Sequence, residues 1–191
     1  MIGSETADIE EEDLVEAEDM VMESVGDWVY GKDNETLEGK VGELFLEKNK
    51  TLAVAESCTG GLIGHRLTQT QGSSDYFLEG VVAYSNEAKN SRLEVSPTLI
   101  RKYGAVSEEV ALAMADGIRK TSGADIGLSV TGVAGPDASN NKPVGTVFIA
   151  ISDEEKSDCK YFRFYNDRSR NKERSAQAGL DLLRRWFLNR I

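Results

Sequence analysis

Histidine occurs once in the 191 residues, at His65, and cysteine twice, at Cys58 and Cys159. The two cysteines form no C-x-x-C pair and, with a single histidine, offer no ligand spacing for zinc, so no metal site is expected. Long apolar runs are missing too. None approaches the roughly 18 to 20 residues that span a bilayer, which argues against a membrane partner. The opening MIGSETADIEEED has neither a basic n-region nor an apolar h-region, so a signal peptide is not expected and a cytoplasmic location is. An excess of basic charge is also lacking. Met1 to Glu38 carries 14 acidic residues against one lysine, while Gly39 to Ile191 carries 19 acidic and 21 basic residues. An acidic head on a nearly neutral body argues against nucleic acid as a partner. There is no internal repeat, and no low-complexity tract beyond the head.

What is present is one chain length suited to a single good core with an appendage. Within the head, Ile9, Leu14, Val15, Met20, Val21 and Val25 are scattered among acids over residues 8–25 in a loosely helical pattern. Gly31-Lys32-Asp33-Asn34 is a turn signal. It sets the expected boundary between an acidic helix and linker segment, residues 1–35, and a compact domain, residues 36–191. The domain opens with a helix, where Leu37, Val41, Leu44 and Phe45 recur at helical spacing up to about Lys48.

The most informative stretch is Thr51 to Gly64, TLAVAESCTGGLIG. Leu52 to Ala55 reads as a short buried strand, and Leu62, Ile63 and Leu67 recur at helical spacing. The polar cluster Glu56-Ser57-Cys58-Thr59-Gly60-Gly61 therefore sits where a strand hands over to a helix. Unpaired N–H groups at a helix N-terminus suit an anionic ligand or a developing oxyanion, and paired glycines admit a close backbone approach. Ser57 is placed like a nucleophile, although this is not the G-x-S-x-G elbow of the α/β-hydrolases. The same residues also read as ordinary turn and capping residues.

Further along, Phe77 to Tyr84 reads as a second strand, and Ser85 caps a short helix reaching Leu93. Ser96-Pro97 starts a helix that stops at Gly104. A longer helix runs from Ser107 to Gly123, with Val110, Ala111, Met114, Ala115 and Ile118 on its inner face. Ile126 to Thr131 is a third strand and residues 132–143 form a loop. Val144 to Ser152 and Cys159 to Tyr165 are the last two strands. Asn166-Asp167 then caps a closing helix, with Ala176, Leu180, Leu183 and Phe187 facing inward. Helices alternating with the first three strands, followed by two adjacent strands, predict an α/β fold. Its expected form is a three-layer α/β/α sandwich with a mixed sheet of about five strands.

In open α/β sheets, ligands collect at the carboxyl ends of the strands. Three polar clusters are expected there: Glu56 to Thr59, Tyr84-Ser85-Asn86 with Lys89 just beyond, and Thr131 with the loop Gly132 to Pro136. Their convergence is the functional signal. Each alone has a bland reading, Tyr84 as a half-buried strand tyrosine, Lys89 as a solvated helix lysine and Thr131 as a turn residue.

The blocks AESCTGG, QGSSDYF, GVVAYSNEAK, YGAVSEE, VTGVAGPD and KPVGTVFIAI, in that order from about Leu37 onward, resemble the C-terminal domain family of CinA, the competence and damage-inducible protein. Stand-alone bacterial members of that family are nicotinamide-nucleotide amidohydrolases. The resemblance implies an α/β/α sandwich, often dimeric. It also implies hydrolysis of the carboxamide of nicotinamide mononucleotide to nicotinate mononucleotide and ammonia, with no cofactor. Carried over by position, it implies catalytic roles for Ser57, Tyr84, Lys89 and Thr131. Cys58, Thr59, Gly60, Gly61, Gly132 and Gly135 follow as substrate-binding positions. An arginine before the last helix belongs to the pattern, and in YNDRSRNKER it matches Arg168, with Arg170 as a rival; a phosphate contact is its expected role. After Gly135-Pro136 the family more often shows glycines, where this chain has Asp137-Ala138-Ser139-Asn140-Asn141. The head resembles the linker to an upstream domain in longer CinA proteins.

Amide hydrolysis needs a nucleophile, a base, an acid for the leaving ammonia and oxyanion donors. His65 lies eight residues beyond Ser57, roughly 12 Å along a helix at about 1.5 Å per residue, which disfavours a Ser-His-Asp triad. A desolvated, neutral Lys89 is the candidate base, acting directly or through Tyr84. Amides of Cys58 to Gly60 are candidate oxyanion donors, and Thr131 a group that orients the carboxamide or a water. Adjacent residues entering a helix point about 100° apart, so only one of Ser57 and Cys58 faces a pocket, and Ser57 is expected to be the one. Two other classes share these residues: a non-catalytic module binding a phosphorylated metabolite, and a competence-associated interaction module.

Overall fold

The computed structural model describes residues 11–139 and 142–190; residues 8–10 of the expected head helix and Asn140-Asn141 of the expected loop lie outside them. The chain divides into two units, one up to Thr36 and one from Leu37 onward. In the first, α1 spans Glu11–Val25. Leu14, Val15, Met20 and Val21 are exposed along it, as is Trp28 beyond it. Lys32 pairs with Glu18 within this unit.

The second unit is built on a five-stranded sheet in the order β2-β1-β3-β4-β5. The strands are β1 (Leu52–Glu56), β2 (Phe77–Val82), β3 (Ile126–Gly132), β4 (Thr146–Ser152) and β5 (Ser157–Arg163). β1 lies between β2 and β3 and is parallel to both, whereas β4 is antiparallel to both β3 and β5. The mixed sheet and helices on both faces match the expected sandwich. The seven α-helices of the described chain are completed by α2 (Leu37–Glu47), α3 (Leu62–Thr68), α4 (Asn86–Leu93), α5 (Pro97–Tyr103), α6 (Glu108–Ser122) and α7 (Arg168–Phe187).

The alternation of side chains along β1 separates two cores. Leu52 and Val54 join Leu128, Val130, Val147 and Ile149 under α2, α3 and α7, through Val41, Phe45, Ile63, Leu67, Leu180 and Leu183. Ala53 and Ala55 face the other way, toward α4, α5 and α6, against Leu93, Ile100, Val110, Met114 and Ile118. Small residues on that face let α6 approach closely: a Cβ on Gly127 would collide with the backbone carbonyl of Ala115. α6 is well specified locally. Ser107 Oγ accepts from Val110 N–H, Glu108 and Glu109 occupy the first turn, Arg119 and Lys120 the last, and Gly123 ends it in the left-handed conformation.

The boundaries differ from the sequence reading by one residue at the ends of β1 and β3 and by two residues at the other three strands. β2 ends at Val82, because Ala83 and Tyr84 turn away toward the α4 cap at Ser85. β4 begins at Thr146, because Gly145 sits at φ +84° and its N–H turns back to Val133 O, 2.6 Å away. β5 starts earlier, at Ser157, and Phe164 and Tyr165 lie beyond its end. Among the described residues no helix is long and apolar enough to cross a membrane, and no group of three His, Cys, Asp or Glu side chains is placed to hold a metal ion.

Candidate active site

The parallel strands β1, β2 and β3 finish side by side, and their carboxyl ends deliver Ser57, Tyr84 and Thr131 to one cleft of about 280 Å³. Cys58, Lys89, Gly132, Gly135 and Arg168 also line it, with Asn86, Ala105, Val106 and Asp137. Thr59, Gly60 and Gly61 are not part of that lining. Thr59 is buried with its hydroxyl unpaired, and the two glycines form the turn into α3.

That turn departs from expectation in one respect. The N-terminus of α3 does not present unpaired amides, because Glu56, at the end of β1, folds its carboxylate over them. Glu56 Oε2 accepts from Gly61 N–H (3.0 Å) and Ile63 N–H (3.1 Å), and Oε1 from Gly64 N–H (2.8 Å). A carboxylate only 2% exposed is stable in that position because three N–H donors and the positive end of the helix surround it. The positive φ of Gly60 and Gly61, 63° and 94°, lets the chain double back far enough for this cap to form. Of the amides from Cys58 to Gly60, that of Gly60 already donates to Ser57 O at 3.2 Å, which leaves Cys58 and Thr59 as the candidate oxyanion donors. A charged residue closing an otherwise apolar strand was the sequence signal for this cap.

Lys89 is the fourth residue of α4 and is 2% exposed. Its Nζ donates to Ala83 O at 2.8 Å and stands 3.2 Å from Ser57 Oγ. No carboxylate pairs with it among the described residues. Burial lowers its pKa from the ordinary 10.5, since charging an amine without water or counter-ion is unfavourable. The solvated-lysine reading is thus wrong for Lys89. His65 is exposed on α3 and plays no part in this contact.

Cys58 also reaches the cleft, but burial pushes its thiol up to about 12, so it is protonated near neutral pH. The two neighbours differ in their partners: Ser57 has the amine, Cys58 is packed against Gly132.

On the opposite wall, Thr131 Oγ1 donates to Ala105 O at 2.7 Å, which leaves its lone pairs as acceptors for a ligand. Tyr84 is 61% exposed at the rim. Its phenol oxygen accepts from Arg168 Nη2 at 2.9 Å, so its own O–H is directed elsewhere. Arg168 Nη1 donates to Gly135 O at 2.5 Å. The first residue of α7 thus ties the end of β2 to the loop after β3. Asn171, fully buried one turn on, adds a second tie by donating Nδ2 to Ala134 O (3.0 Å) and Asn166 O (2.8 Å). Nothing in the local sequence around Asn171 marks it, since its partners are remote or backbone. Arg170 instead faces Asp167 at 3.7 Å with its side chain 71% exposed.

Residues 34–187 match the family model described as the CinA C-terminal domain. A CinA-like protein from Desulfotalea psychrophila is 50% identical over 169 residues, covering 88% of this chain and 41% of its own length. A putative competence-damage inducible protein from Caldicellulosiruptor saccharolyticus is 46% identical over 177 residues, covering 92% of this chain and 43% of its own. The chain therefore spans about two-fifths of the length of these relatives. Among solved structures, a CinA superfamily protein from Klebsiella pneumoniae superposes with a TM-score of 0.78 at 28% identity, covering 80% of this chain and 96% of that one. The competence/damage inducible protein CihA from Agrobacterium tumefaciens gives 0.75 at 34% identity, covering 81% and 96%.

Proposed function

The chain belongs to the CinA C-terminal domain family, and from that membership and the cleft's geometry we propose that it is a serine amidohydrolase. Its substrate is the carboxamide of nicotinamide mononucleotide, converted with one water to nicotinate mononucleotide and ammonia. The observation that carries this reading is a buried lysine with no counter-ion among the described residues, 3.2 Å from a serine hydroxyl at a strand end. A structural lysine has no reason to pay that desolvation, whereas a base must be neutral to accept a proton.

In the first half-reaction neutral Lys89 takes the Ser57 proton as Oγ bonds to the carboxamide carbon. Negative charge moves to the carbonyl oxygen, facing the amides of Cys58 and Thr59. As the tetrahedral adduct collapses, the C–N bond breaks and Lys89 returns the proton to the departing nitrogen, releasing ammonia. Water then repeats the sequence on the acyl ester: Lys89 accepts its proton, the ester C–O bond breaks, and Ser57 is regenerated. Thr131, with its proton committed to Ala105, accepts from the carboxamide NH₂ and orients it. Tyr84, held by Arg168, directs its O–H toward the substrate or the leaving group.

The test is ammonia release from a panel of pyridine nucleotides and free nicotinamide. Release from nicotinamide mononucleotide, lost in Ser57→Ala, is the expected result. Binding with no ammonia from any of them would make the cleft a metabolite-binding site instead.

A further inference from the structure

Of the cations at or beside the cleft on α4 and at the start of α7, three are already engaged. Lys89 is buried against Ser57 and Ala83. Arg168 uses both terminal nitrogens on Gly135 O and Tyr84. Arg170 sits exposed beside Asp167. The fourth is Lys172, four residues after Arg168 on α7 and so on the same helix face, about one turn of 5.4 Å further along. It is half-buried, and its Nζ stands 3.6 Å from the point where a Cβ on Gly60 would sit. It makes no hydrogen bond or ion pair with any described residue. The ammonium is thus held over the turn that follows the nucleophile, at a residue with no side chain to fill the space.

An ammonium held over this turn, with no ion pair to any described residue, is open to pair with an anion. The turn below cannot supply one, because the Glu56 carboxylate is spent on the amides of Gly61, Ile63 and Gly64. We infer that Lys172, and not Arg168, receives the phosphate monoester of the nucleotide, seated over Gly60. Resting on the pyridine-nucleotide reading above, this assigns the two α7 cations different tasks. Arg168 organises the reacting end, and Lys172 draws in the remote dianion, whose binding energy positions the carboxamide.

The experiment is calorimetric titration of the full chain carrying Ser57→Ala, which prevents turnover, with nicotinamide mononucleotide and with its phosphate-free riboside. Lys172→Met keeps the aliphatic stem and removes the charge; Lys172→Arg keeps the charge. The expected result is that the parent prefers the mononucleotide by about 10- to 100-fold. Lys172→Met should erase that preference by weakening the mononucleotide alone, while Lys172→Arg retains most of it. Added salt should narrow the preference in the parent and leave the Met variant unmoved. A preference that survives in Lys172→Met, an equal loss on both ligands, or no preference in the parent would each overturn the assignment. Ammonia release by the unsubstituted chain is measured in parallel. Its absence would sink the amidase reading alone, leaving Lys172 standing wherever the phosphate preference still depends on it.

Discussion

Two turns frame the cleft, and they are organised in opposite ways. The turn after β1, residues 57–61, is held by its own neighbourhood, since the residue before it, Glu56, caps the helix after it. The loop after β3, residues 132–136, has no such cap from its own neighbours and is held from further off: Val133 N–H donates to Thr146 O and Val133 O accepts from Gly145 N–H. Its carbonyls at Ala134 and Gly135 are held by Asn171 and Arg168, more than thirty residues away on α7. The contrast fits the tasks proposed for them. A nucleophile needs one fixed geometry whether or not substrate is bound, and local hydrogen bonds secure it at little entropic cost. A wall that contacts different parts of a substrate can be set by remote elements that also close the fold.

The strongest way to break this comparison is at the first turn's reactive pair. Ser57→Ala should lower kcat by on the order of 10⁴-fold or more, while Cys58→Ala, removing a thiol held protonated, keeps most of the activity. The reverse result would make this a cysteine amidase.

Lys89→Arg should be almost as damaging, because a guanidinium stays protonated and cannot accept the serine proton. For the unsubstituted chain, kcat/KM should rise with pH through an ionisation below 10.5. The same group makes a stability prediction that runs in the same direction with pH. Because folding lowers its pKa, the unfolded chain binds more protons between the folded value and 10.5, so Lys89's penalty on stability is full below that window and fades as pH rises through it. Lys89→Met should thus be inactive yet melt higher than the parent at neutral pH, by about 2–4 °C for each 1 kcal/mol recovered, with the gap closing toward pH 10.5. A lower melting temperature for Lys89→Met would show that the amine stabilises the fold and weaken its assignment as a base.

Glu56→Gln tests the local cap. Losing the charge and one acceptor should cost about 1–3 kcal/mol in urea unfolding and reduce kcat with it. The smallest effect is expected at the second turn. Asn171→Ala should cost about 1–2 kcal/mol and, with the wall loosened, raise KM more than it lowers kcat. A kcat loss as large as that of Lys89→Arg would place the loop after β3 in the chemistry itself.

The alternation of Leu52 and Val54 with Ala53 and Ala55 was legible as a buried strand, and the caps at Ser85, Ser96, Ser107 and Asp167 as helix starts. Periodicity and capping are local, so they survive being read in one dimension. The strand ends were read less well. Gly145 turns back to pair with Val133, and Ala83 ends as the acceptor for Lys89, contacts that a window of neighbouring residues does not contain.

By itself, then, the sequence determined the layered α/β order, the family and the gathering of Ser57, Tyr84, Lys89 and Thr131 at the carboxyl ends of strands. Only the tertiary structure decided what each could do. Burial made Lys89 a partner for Ser57 instead of a solvated charge, Glu56 took the helix terminus that had seemed open to a ligand, and Arg168 closed onto Tyr84 and Gly135 while Lys172 was left without an ion pair among the described residues. The reason is physical. Which groups exist at which spacing is written along the chain, but desolvation and hydrogen-bond pairing depend on what other segments bring to the same place, and these set the chemistry of an ionisable side chain.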